Sequence, residues 1–264
     1  MKSVLLTFDL EECDILRKYK KTTKEEEMSI SKQGLLSLLK LLEKYNLKAT
    51  FFTTAEFAKF YPNLVKSMKD RGHEIAYHGY SHSDSYLNES DFERIPEAKK
   101  QIEQIISSKI LGFRAPRFEI KQISKLNNFG FYYDSSTHPT FIPGKYINLS
   151  SKRTIHKISN LIEIPLSVLP FVRLSISWIF FKTFPLSYAK SFAKINFLFS
   201  DYLMLLFHPW EFANLSNLPL PSFIKRKNNK KLLKMLEKYI IFCTKNKYVF
   251  RKVSEYLNLF PEIN

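Results

Sequence analysis

The chain lacks a long uncharged apolar run of the roughly 18 residues that a bilayer-spanning helix requires. Its most apolar stretch, residues 161–207, is interrupted by five charged residues: Glu163, Arg173, Lys182, Lys190 and Lys194. The N-terminus also lacks the apolar region and cleavage site of a secretory signal, because its first apolar residues run directly into Asp9. The sequence therefore predicts a cytoplasmic protein, with peripheral contact at the inner membrane face left as an alternative.

Cysteines and acidic residues are also scarce. Cys13 and Cys243 are the only cysteines among 264 residues, too few for a disulfide framework, so we interpret both as free thiols. The 25 acidic residues are outnumbered by 41 lysines and arginines, which gives a formal net charge of +16. A Lys-rich solvated surface is the simpler interpretation, and a phosphate-bearing or membrane partner is the alternative. No nucleic-acid-binding motif accompanies the charge, so we predict no nucleic-acid partner.

The apolar pattern alternates between strand and helix periods. Strands are predicted at residues 3–9, 49–53, 73–77, 110–113, 131–134 and 202–207. Helices are predicted at residues 31–45, 55–69, 89–108, 121–128, 186–200 and 229–246. This alternation indicates βα units around a parallel sheet or barrel. Because no repeat or linker divides the sequence, we predict an α/β protein with a single domain over residues 1–264.

Polar or charged residues directly follow five of the predicted strands: Asp9 with Glu11, His78 with His82, Arg114, Asp134, and His208. The carboxyl ends of parallel barrel strands converge on one rim, where catalytic groups collect. A single cluster of this kind carries little information. Five clusters in sequence predict one functional site.

Two histidines and a carboxylate have the spacing of a metal site. His78 and His82 lie four residues apart, so both imidazoles can reach one ion. Alternate residues of a continuing strand share a face, which directs Asp9 and Glu11 into the same pocket. Glu11 would complete a two-His, one-carboxylate set and leave Asp9 as a general base. The alternatives are surface histidines beside an acidic loop, and Glu12 as the carboxylate ligand.

Three further side chains are candidates for the same site. Arg114 is placed to hold Asp9 ionised through a bidentate pair. His208 ends the most apolar strand, where a histidine can protonate a leaving amine near neutral pH. Trp210, two residues later, would either form the floor of a sugar site or cap the core.

These residues, in this order, resemble the polysaccharide deacetylase family and its NodB-homology domain. The five matching motifs are Thr7-Phe8-Asp9, His78-Gly79-Tyr80-Ser81-His82, Arg114-Ala115-Pro116, Asp134-Ser135-Ser136 and Leu206-Phe207-His208. The resemblance covers roughly residues 1–255. The Asp-x-Glu form of the first motif and the sequence His208-Pro209-Trp210-Glu211 are similar to a subgroup associated with exopolysaccharide and surface-glycan synthesis.

The resemblance implies a distorted (β/α)7 barrel that removes an N-acetyl group from an amino sugar with the help of a metal ion. It implies that Asp9 is the base, Arg114 its orienting partner and His208 the acid. Metal ligands would be Glu11, His78 and His82, and substrate contacts would come from Asp134, Trp210 and Arg117. Phe207 departs from the family pattern, in which an aliphatic residue is common at this position, so the resemblance implies an acetyl-methyl pocket that Phe207 shapes differently. The expected cofactor is one divalent ion, zinc, with cobalt, manganese, iron or nickel as alternatives.

The expected substrate is an N-acetylated sugar. The phosphates of a phosphate-linked or lipid-linked form would be attracted to the basic surface. Three other functions remain open. One is an allantoinase-like cyclic amide or imide hydrolase on the same fold. Another is a non-catalytic glycan-binding protein, and the third is a membrane-surface scaffold driven by charge.

Overall fold

The structure, a computed structural model, describes residues 1–82, 89–120, 122–142 and 146–259. Its sheet is organised around β1 (Ser3–Leu10), which is buried along its whole length. The other strands are Thr50–Thr53 (β2), Glu74–Tyr77 (β3), Gly112–Phe113 (β4), Tyr133–Asp134 (β5), Phe141–Ile142 (β6), Tyr146–Ile147 (β7), His156–Ile158 (β8), Leu161–Glu163 (β9), Tyr202–Phe207 (β10) and Val249–Arg251 (β11).

The main sheet has the strand order β10–β1–β2–β3–β4–β5–β9–β8. Pairing is parallel from β10 through β9, and only β8 joins it antiparallel. β11 pairs with the first residues of β1, and β2 pairs with the last, so the two strands share one edge of β1. β6 and β7 form a separate antiparallel pair.

The α-helices are Lys24–Lys44 (α1), Ala55–Phe60 (α2), Pro62–Asp70 (α3), Glu89–Ile106 (α4), Trp178–Thr183 (α5), Leu186–Phe199 (α6), Ser222–Lys225 (α7), Lys230–Lys245 (α8) and Val253–Tyr256 (α9). Short 3-10 helices cover Asp14–Lys18, Pro116–Phe118, Ile123–Phe129 and Pro209–Phe212. Among the described residues, no helix is both long and apolar enough to cross a bilayer.

Three helix predictions need correction. α1 begins seven residues before the predicted start, because the Thr23 side chain accepts a hydrogen bond from the Glu26 N–H and three glutamates occupy the first turn. The predicted helix at 55–69 is two helices, since Pro62 starts a new one after Tyr61. The predicted helix at 121–128 is a 3-10 helix, and its first predicted residue, Lys121, lies outside the described residues.

The two faces of β1 have different surroundings. Leu5 belongs to a buried cluster inside the curled sheet, whereas Leu6 and Phe8 pack in the larger cluster between the sheet and the helices. Phe8 stacks on Phe51 of the neighbouring strand, with ring centroids 5.0 Å apart. Since successive side chains of a strand alternate between faces, Asp9 points into the curled sheet with Leu5.

The curled sheet closes through side chains at the gap between β9 and β10. The Met204 N–H donates to Ser167 Oγ at 2.8 Å, and the Tyr202 hydroxyl donates to the Pro165 carbonyl at 2.8 Å. Among the described residues no strand ladder joins β9 to β10, and these contacts link the two sides of the gap. The predicted distorted (β/α)7 barrel is confirmed.

Helix α1 lies close against the 3-10 helix that follows His208. A Cβ atom on Gly34 would lie only 1.9 Å from the Pro209 carbonyl oxygen, so only glycine permits this approach. The contact fixes the segment after β10 against α1, and it thereby fixes the position of His208 at the end of that strand.

Candidate active site

A cavity of about 290 Å³ opens at the carboxyl ends of β1 and β10. Its walls carry both acidic and basic side chains together with two tryptophans. The lining residues are Asp9, Glu11, Asp14, Ile15, Lys18, His82, Arg117, Phe118, Glu119, Trp178, Leu206, His208 and Trp210. The rim of the barrel therefore collects most of the side chains that the sequence singled out.

Glu11, His78 and His82 form a compact group with ligand atoms all within 4.8 Å of one another. Glu11 Oε2 lies 3.2 Å from His78 Nε2 and 3.3 Å from His82 Nε2. Glu11 and His78 are buried, and His82 is partly buried. Two imidazoles and one carboxylate are a donor set suited to a divalent transition metal such as zinc.

The remaining atoms of these three side chains have fixed partners. His78 Nδ1 lies 2.8 Å from the Arg114 carbonyl oxygen, so it carries the proton and leaves Nε2 free to face Glu11. The Trp210 indole N–H donates to Glu11 Oε1 at 3.3 Å. Such outer contacts fix the ring orientation and tautomer of metal-ligating side chains.

His82 is held by two acidic residues in addition to Glu11. Its Nδ1 lies 3.0 Å from Asp14 Oδ2, and its backbone N–H donates to Glu12 Oε1 at 2.9 Å. Burial opposes the charged imidazole, but the Glu11 and Asp14 carboxylates raise the pKa of His82 to about 9. Glu12 was the alternative metal ligand, and this contact directs its carboxylate to the backbone of residue 82.

The turn between the two histidines depends on Gly79. Its φ of +83° is rarely adopted by other residues, and a Cβ there would lie 2.8 Å from the Pro116 ring. The turn therefore returns the chain tightly enough for His78 and His82 to face the same carboxylate. Their rings are nearly parallel, with centroids 5.9 Å apart.

Asp9 and Arg114 form a buried ion pair inside the barrel. Arg114 Nη1 donates to Asp9 Oδ1 at 2.7 Å and also lies 3.1 Å from Thr7 Oγ1. The guanidinium group stacks on the Phe52 ring at 3.9 Å from its centroid. Burial alone would raise the pKa of Asp9, but the charge of Arg114 and its hydrogen bond hold that pKa below its usual range.

The segment after β5 holds Arg114 in place. Arg114 Nε donates to the Ser135 carbonyl at 3.1 Å, and Nη2 donates to Ser135 Oγ at 3.0 Å. The next backbone N–H, of Ala115, donates to Ser136 Oγ at 2.8 Å. The Asp-Ser-Ser motif thus supports the arginine rather than facing the cavity.

His208 is anchored by Glu211, which lies one turn later in the 3-10 helix. Glu211 Oε1 accepts hydrogen bonds from the His208 backbone N–H at 2.8 Å and from His208 Nδ1 at 3.1 Å. His208 Nε2 is left facing the site, 3.8 Å from Glu11 Oε1. Burial opposes the charged imidazole, but the Glu11 and Glu211 carboxylates outweigh it and raise the pKa of His208.

Lys182 of α5 balances the charge of Glu211 in the protein interior. Both side chains are fully buried, and Lys182 Nζ lies 3.2 Å from Glu211 Oε2. Nζ also donates to the Ile224 carbonyl at 2.7 Å and lies 5.1 Å from the Trp178 ring centroid. Burial would raise the pKa of Glu211, but the charges of Lys182 and His208 hold it below its usual range.

Asp134, predicted to contact substrate, does not line the cavity. Its side chain is fully buried, where Oδ1 accepts a hydrogen bond from Ser136 Oγ at 2.6 Å. It lies opposite Glu163 in the parallel pairing of β5 and β9. Burial, and then the charge of Asp134, raise the pKa of Glu163 well above its ordinary value.

Glu163→Gln should make the protein more stable above the ordinary glutamate pKa. Because the pKa of Glu163 is raised in the folded protein, its carboxyl group should keep a proton to higher pH than in the unfolded chain. The free energy of unfolding of the wild type should therefore fall as pH rises, by up to about 1.4 kcal/mol per pH unit. Glutamine at this position carries no titrating proton. Urea unfolding from roughly pH 5 to pH 8 should show that the free energy of unfolding of the variant, relative to that of the wild type, increases with pH.

The matched control is Glu93→Gln, which replaces an exposed glutamate of α4 and should change neither stability nor its pH slope. A Glu163→Gln protein that follows the wild-type curve at every pH would show that Glu163 holds no proton in the folded state.

Trp210 and Arg117, the other residues predicted to contact substrate, line the cavity, and each also makes a contact within the protein. Trp210 donates to Glu11, and its ring lies 5.5 Å from that of Trp178. Arg117 Nη2 donates to Asp14 Oδ2 at 3.0 Å, and its backbone has a φ of +57°. A positive φ is strained for a non-glycine residue, and residues strained in this way are common at functional sites.

Phe207 does not shape the cavity. It packs outside the sheet against Phe8 and Phe181, with ring centroids 6.1 Å and 5.1 Å away. Leu206 lines the cavity instead, because it shares the inner face of β10 with His208. The expectation for Phe207 was therefore wrong.

Sequence reasoning gave no role to five residues that shape the site. They are Asp14, Glu163, Trp178, Lys182 and Glu211. The spacing of Glu211, three residues after His208, is the position from which a side chain caps the first turn of a helix. The sequence offers no comparable signal for the other four, whose contacts depend on elements distant in the chain.

The chain is similar to known polysaccharide deacetylases in sequence and in fold. The sequence profile of the polysaccharide deacetylase family matches residues 1–133, which include Asp9, Glu11, His78, His82 and Arg114. The chain is also similar to the peptidoglycan deacetylase of Helicobacter pylori, at 32% identity over 115 residues. That alignment covers 42% of this chain and 39% of the relative, so the chain matches well under half of that protein's length.

Two solved structures share the fold over nearly the whole chain. A Mycobacterium smegmatis protein assigned provisionally to the polysaccharide deacetylases has a TM-score of 0.66 at 19% identity, covering 97% of this chain and 89% of that one. Puue allantoinase has a TM-score of 0.63 at 16% identity, covering 96% and 88%. At these identities the likeness shows the fold alone.

Proposed function

Because the family profile spans half of the chain, this protein belongs to the polysaccharide deacetylase family, and we propose that it removes the N-acetyl group from an amino sugar in a glycan or glycan precursor. The observation that carries this proposal is the position of Asp9 and His208 in one cavity beside the Glu11–His78–His82 group. Hydrolysis of an amide needs a base, an acid and a means of polarising the carbonyl, and this arrangement offers all three.

We propose that Glu11, His78 and His82 hold one divalent ion, zinc in the first instance, with cobalt, manganese, iron or nickel as alternatives. The donor set fits, since Glu11 Oε2 lies 3.2–3.3 Å from both imidazole Nε2 atoms and the outer atoms have their own partners. When bound, the ion would polarise the acetyl carbonyl and lower the pKa of a water at the site.

The proton transfers fall to Asp9 and His208. Asp9, kept ionised by Arg114, removes a proton from the attacking water, whose oxygen forms a bond to the acetyl carbon. His208 Nε2 then gives a proton to the sugar nitrogen as the carbon–nitrogen bond breaks, and the products are acetate and a free amine. Glu211 accepts the hydrogen bond from His208 Nδ1, and with Glu11 it favours the doubly protonated imidazolium, whose Nε2–H faces the cavity.

The cavity walls suggest how the sugar is held. Trp178 and Trp210 provide an aromatic surface beside His208, and sugar rings pack well on such surfaces. Lys18 and Arg117 line the same cavity, and we propose that they favour a sugar with a phosphate or lipid-phosphate group. Asp134 is too deeply buried for substrate contact, so we assign it a supporting role beneath Arg114.

Metal content and acetate release together test this function. Purified protein reconstituted with zinc should contain about one ion per chain by elemental analysis, and His78→Ala/His82→Ala should contain none, because two of three ligands are removed. The wild type should release acetate from a panel containing N-acetylglucosamine, its phosphate-linked form and a peptidoglycan fragment.

His156→Ala is the matched control, because this histidine of β8 does not line the cavity, and it should retain the ion. Wild-type protein that takes up no divalent ion would reject the metal centre. Turnover of cyclic ureides without acetate release would instead indicate an amide hydrolase of the allantoinase type.

A further inference from the structure

An apolar patch lies on the surface away from the cavity-lining residues. It consists of Phe171, Val172, Ile195, Leu198 and Phe199, all of them exposed. Phe171 is 90% exposed and Leu198 is 74% exposed, and the rings of Phe171 and Phe199 meet edge to face at 6.4 Å. The patch therefore joins the loop after β9 to the last turns of α6.

The loop that carries Phe171 is ordered in a strained conformation. Its backbone is closed by hydrogen bonds from the Leu169 N–H to the Leu174 carbonyl, at 2.8 Å, and from the Arg173 N–H to the Leu169 carbonyl, at 3.1 Å. Phe171 and Arg173 have φ values of +65° and +54°. A bulky residue rarely adopts this conformation, so the fold holds an aromatic ring in water at some cost in free energy.

Basic side chains border the patch. Lys194 is exposed on α6, one turn before Leu198. Arg173 follows the loop tip, and its Nη1 donates to the Ser151 carbonyl at 3.0 Å. One exposed acidic residue, Asp201, lies between α6 and β10. The border thus carries the two cations Lys194 and Arg173 against one carboxylate, and the chain as a whole has a net charge of +16.

We propose that this apolar patch docks the protein on an anionic lipid bilayer. Large apolar side chains enter the boundary between headgroups and acyl chains, while cations around them attract anionic headgroups. A second copy of the chain is a poorer partner, because a twofold contact would bring the same cations against one another. This inference is independent of the proposed deacetylation, since none of these residues lines the cavity.

Co-sedimentation with vesicles tests the proposal on the full chain. We expect the wild type to bind vesicles of phosphatidylcholine with one third phosphatidylglycerol at least about ten times more strongly than vesicles of phosphatidylcholine alone, because each basic residue near an anionic surface strengthens binding. Phe171→Ser/Leu198→Ser should weaken binding to the anionic vesicles about tenfold or more, because the inserted apolar area is lost.

Leu36→Ser is the control, because Leu36 is an exposed apolar residue on α1, outside the patch. It should bind as the wild type does, and circular dichroism should show that both variants fold. Phe171→Ser alone provides a second, milder variant and should weaken binding in the same direction.

Three results would overturn the proposal. The first is wild-type protein that stays in the supernatant with anionic vesicles. The second is equal binding by the wild type and Phe171→Ser/Leu198→Ser. The third is a dimer in sedimentation equilibrium that the double variant abolishes, without vesicle binding, which would assign the patch to a second copy of the chain.

Discussion

His208→Ala should lower kcat for acetate release by roughly 10²–10⁴ while leaving the metal content unchanged. His208 Nε2 is the ring nitrogen that faces the cavity, since Nδ1 is engaged by Glu211. Without it, no side chain in this position protonates the departing nitrogen. Because the lost contact acts in the transition state, kcat and kcat/KM should fall together.

Two measurements distinguish the role of His208 as the acid from an effect on metal binding and from a general effect of losing a histidine. His208 Nε2 lies 3.8 Å from Glu11 Oε1, so elemental analysis must show that the variant still holds its ion. His156→Ala, the loss of a histidine away from the cavity, should leave kcat unchanged. If His208→Ala turns over substrate at the wild-type rate, another group supplies the proton.

The sequence predicted the parts of the fold that depend on local pattern. The strand at 202–207 was predicted with its observed bounds, because a continuous apolar run is bounded by Asp201 and His208. The strands at 110–113 and 131–134 are shorter than predicted, with only two residues in each ladder. Their bounds depend on neighbouring strands in a strongly curved sheet, which periodicity does not report.

Helix α5 was missed for a related reason. Its six residues, Trp178–Thr183, are too few for a helical period to stand out from a generally apolar stretch. The helix matters to the site because its Lys182 pairs with Glu211, a residue nearly 30 positions later in the chain. No local pattern marks that lysine as buried, and charged residues are rarely buried unless they are paired.

The candidate site was predictable where its residues lie at strand ends. Asp9, Glu11, His78, His82, Arg114 and His208 converge, because parallel strands bring their carboxyl ends to one rim. Asp134 also follows a strand, yet its side chain turns toward β9 and not into the cavity. Strand position therefore predicts nearness to the rim, but it does not predict which of two faces a side chain takes.

Lys182→Met should lower the free energy of unfolding by about 3–5 kcal/mol, as expected when one partner of a buried ion pair is removed. Methionine keeps most of the aliphatic volume, so packing against Trp178 changes little. Glu211, however, would remain as a buried carboxylate with only the contacts of His208 to compensate its charge. Urea unfolding of the wild type and the variant measures this difference.

Lys182→Met/Glu211→Gln should recover most of that stability, because the neutral amide no longer needs a cation beside it while it still accepts the His208 hydrogen bond. The single variants Lys182→Met and Glu211→Gln form a double-mutant cycle with the double variant, and this cycle isolates the interaction energy of the pair. A Lys182→Met protein within about 1 kcal/mol of the wild type would show that Glu211 is neutral in the folded protein. Glu211 would then orient His208 by hydrogen bonding alone, and its charge would contribute nothing to the acid.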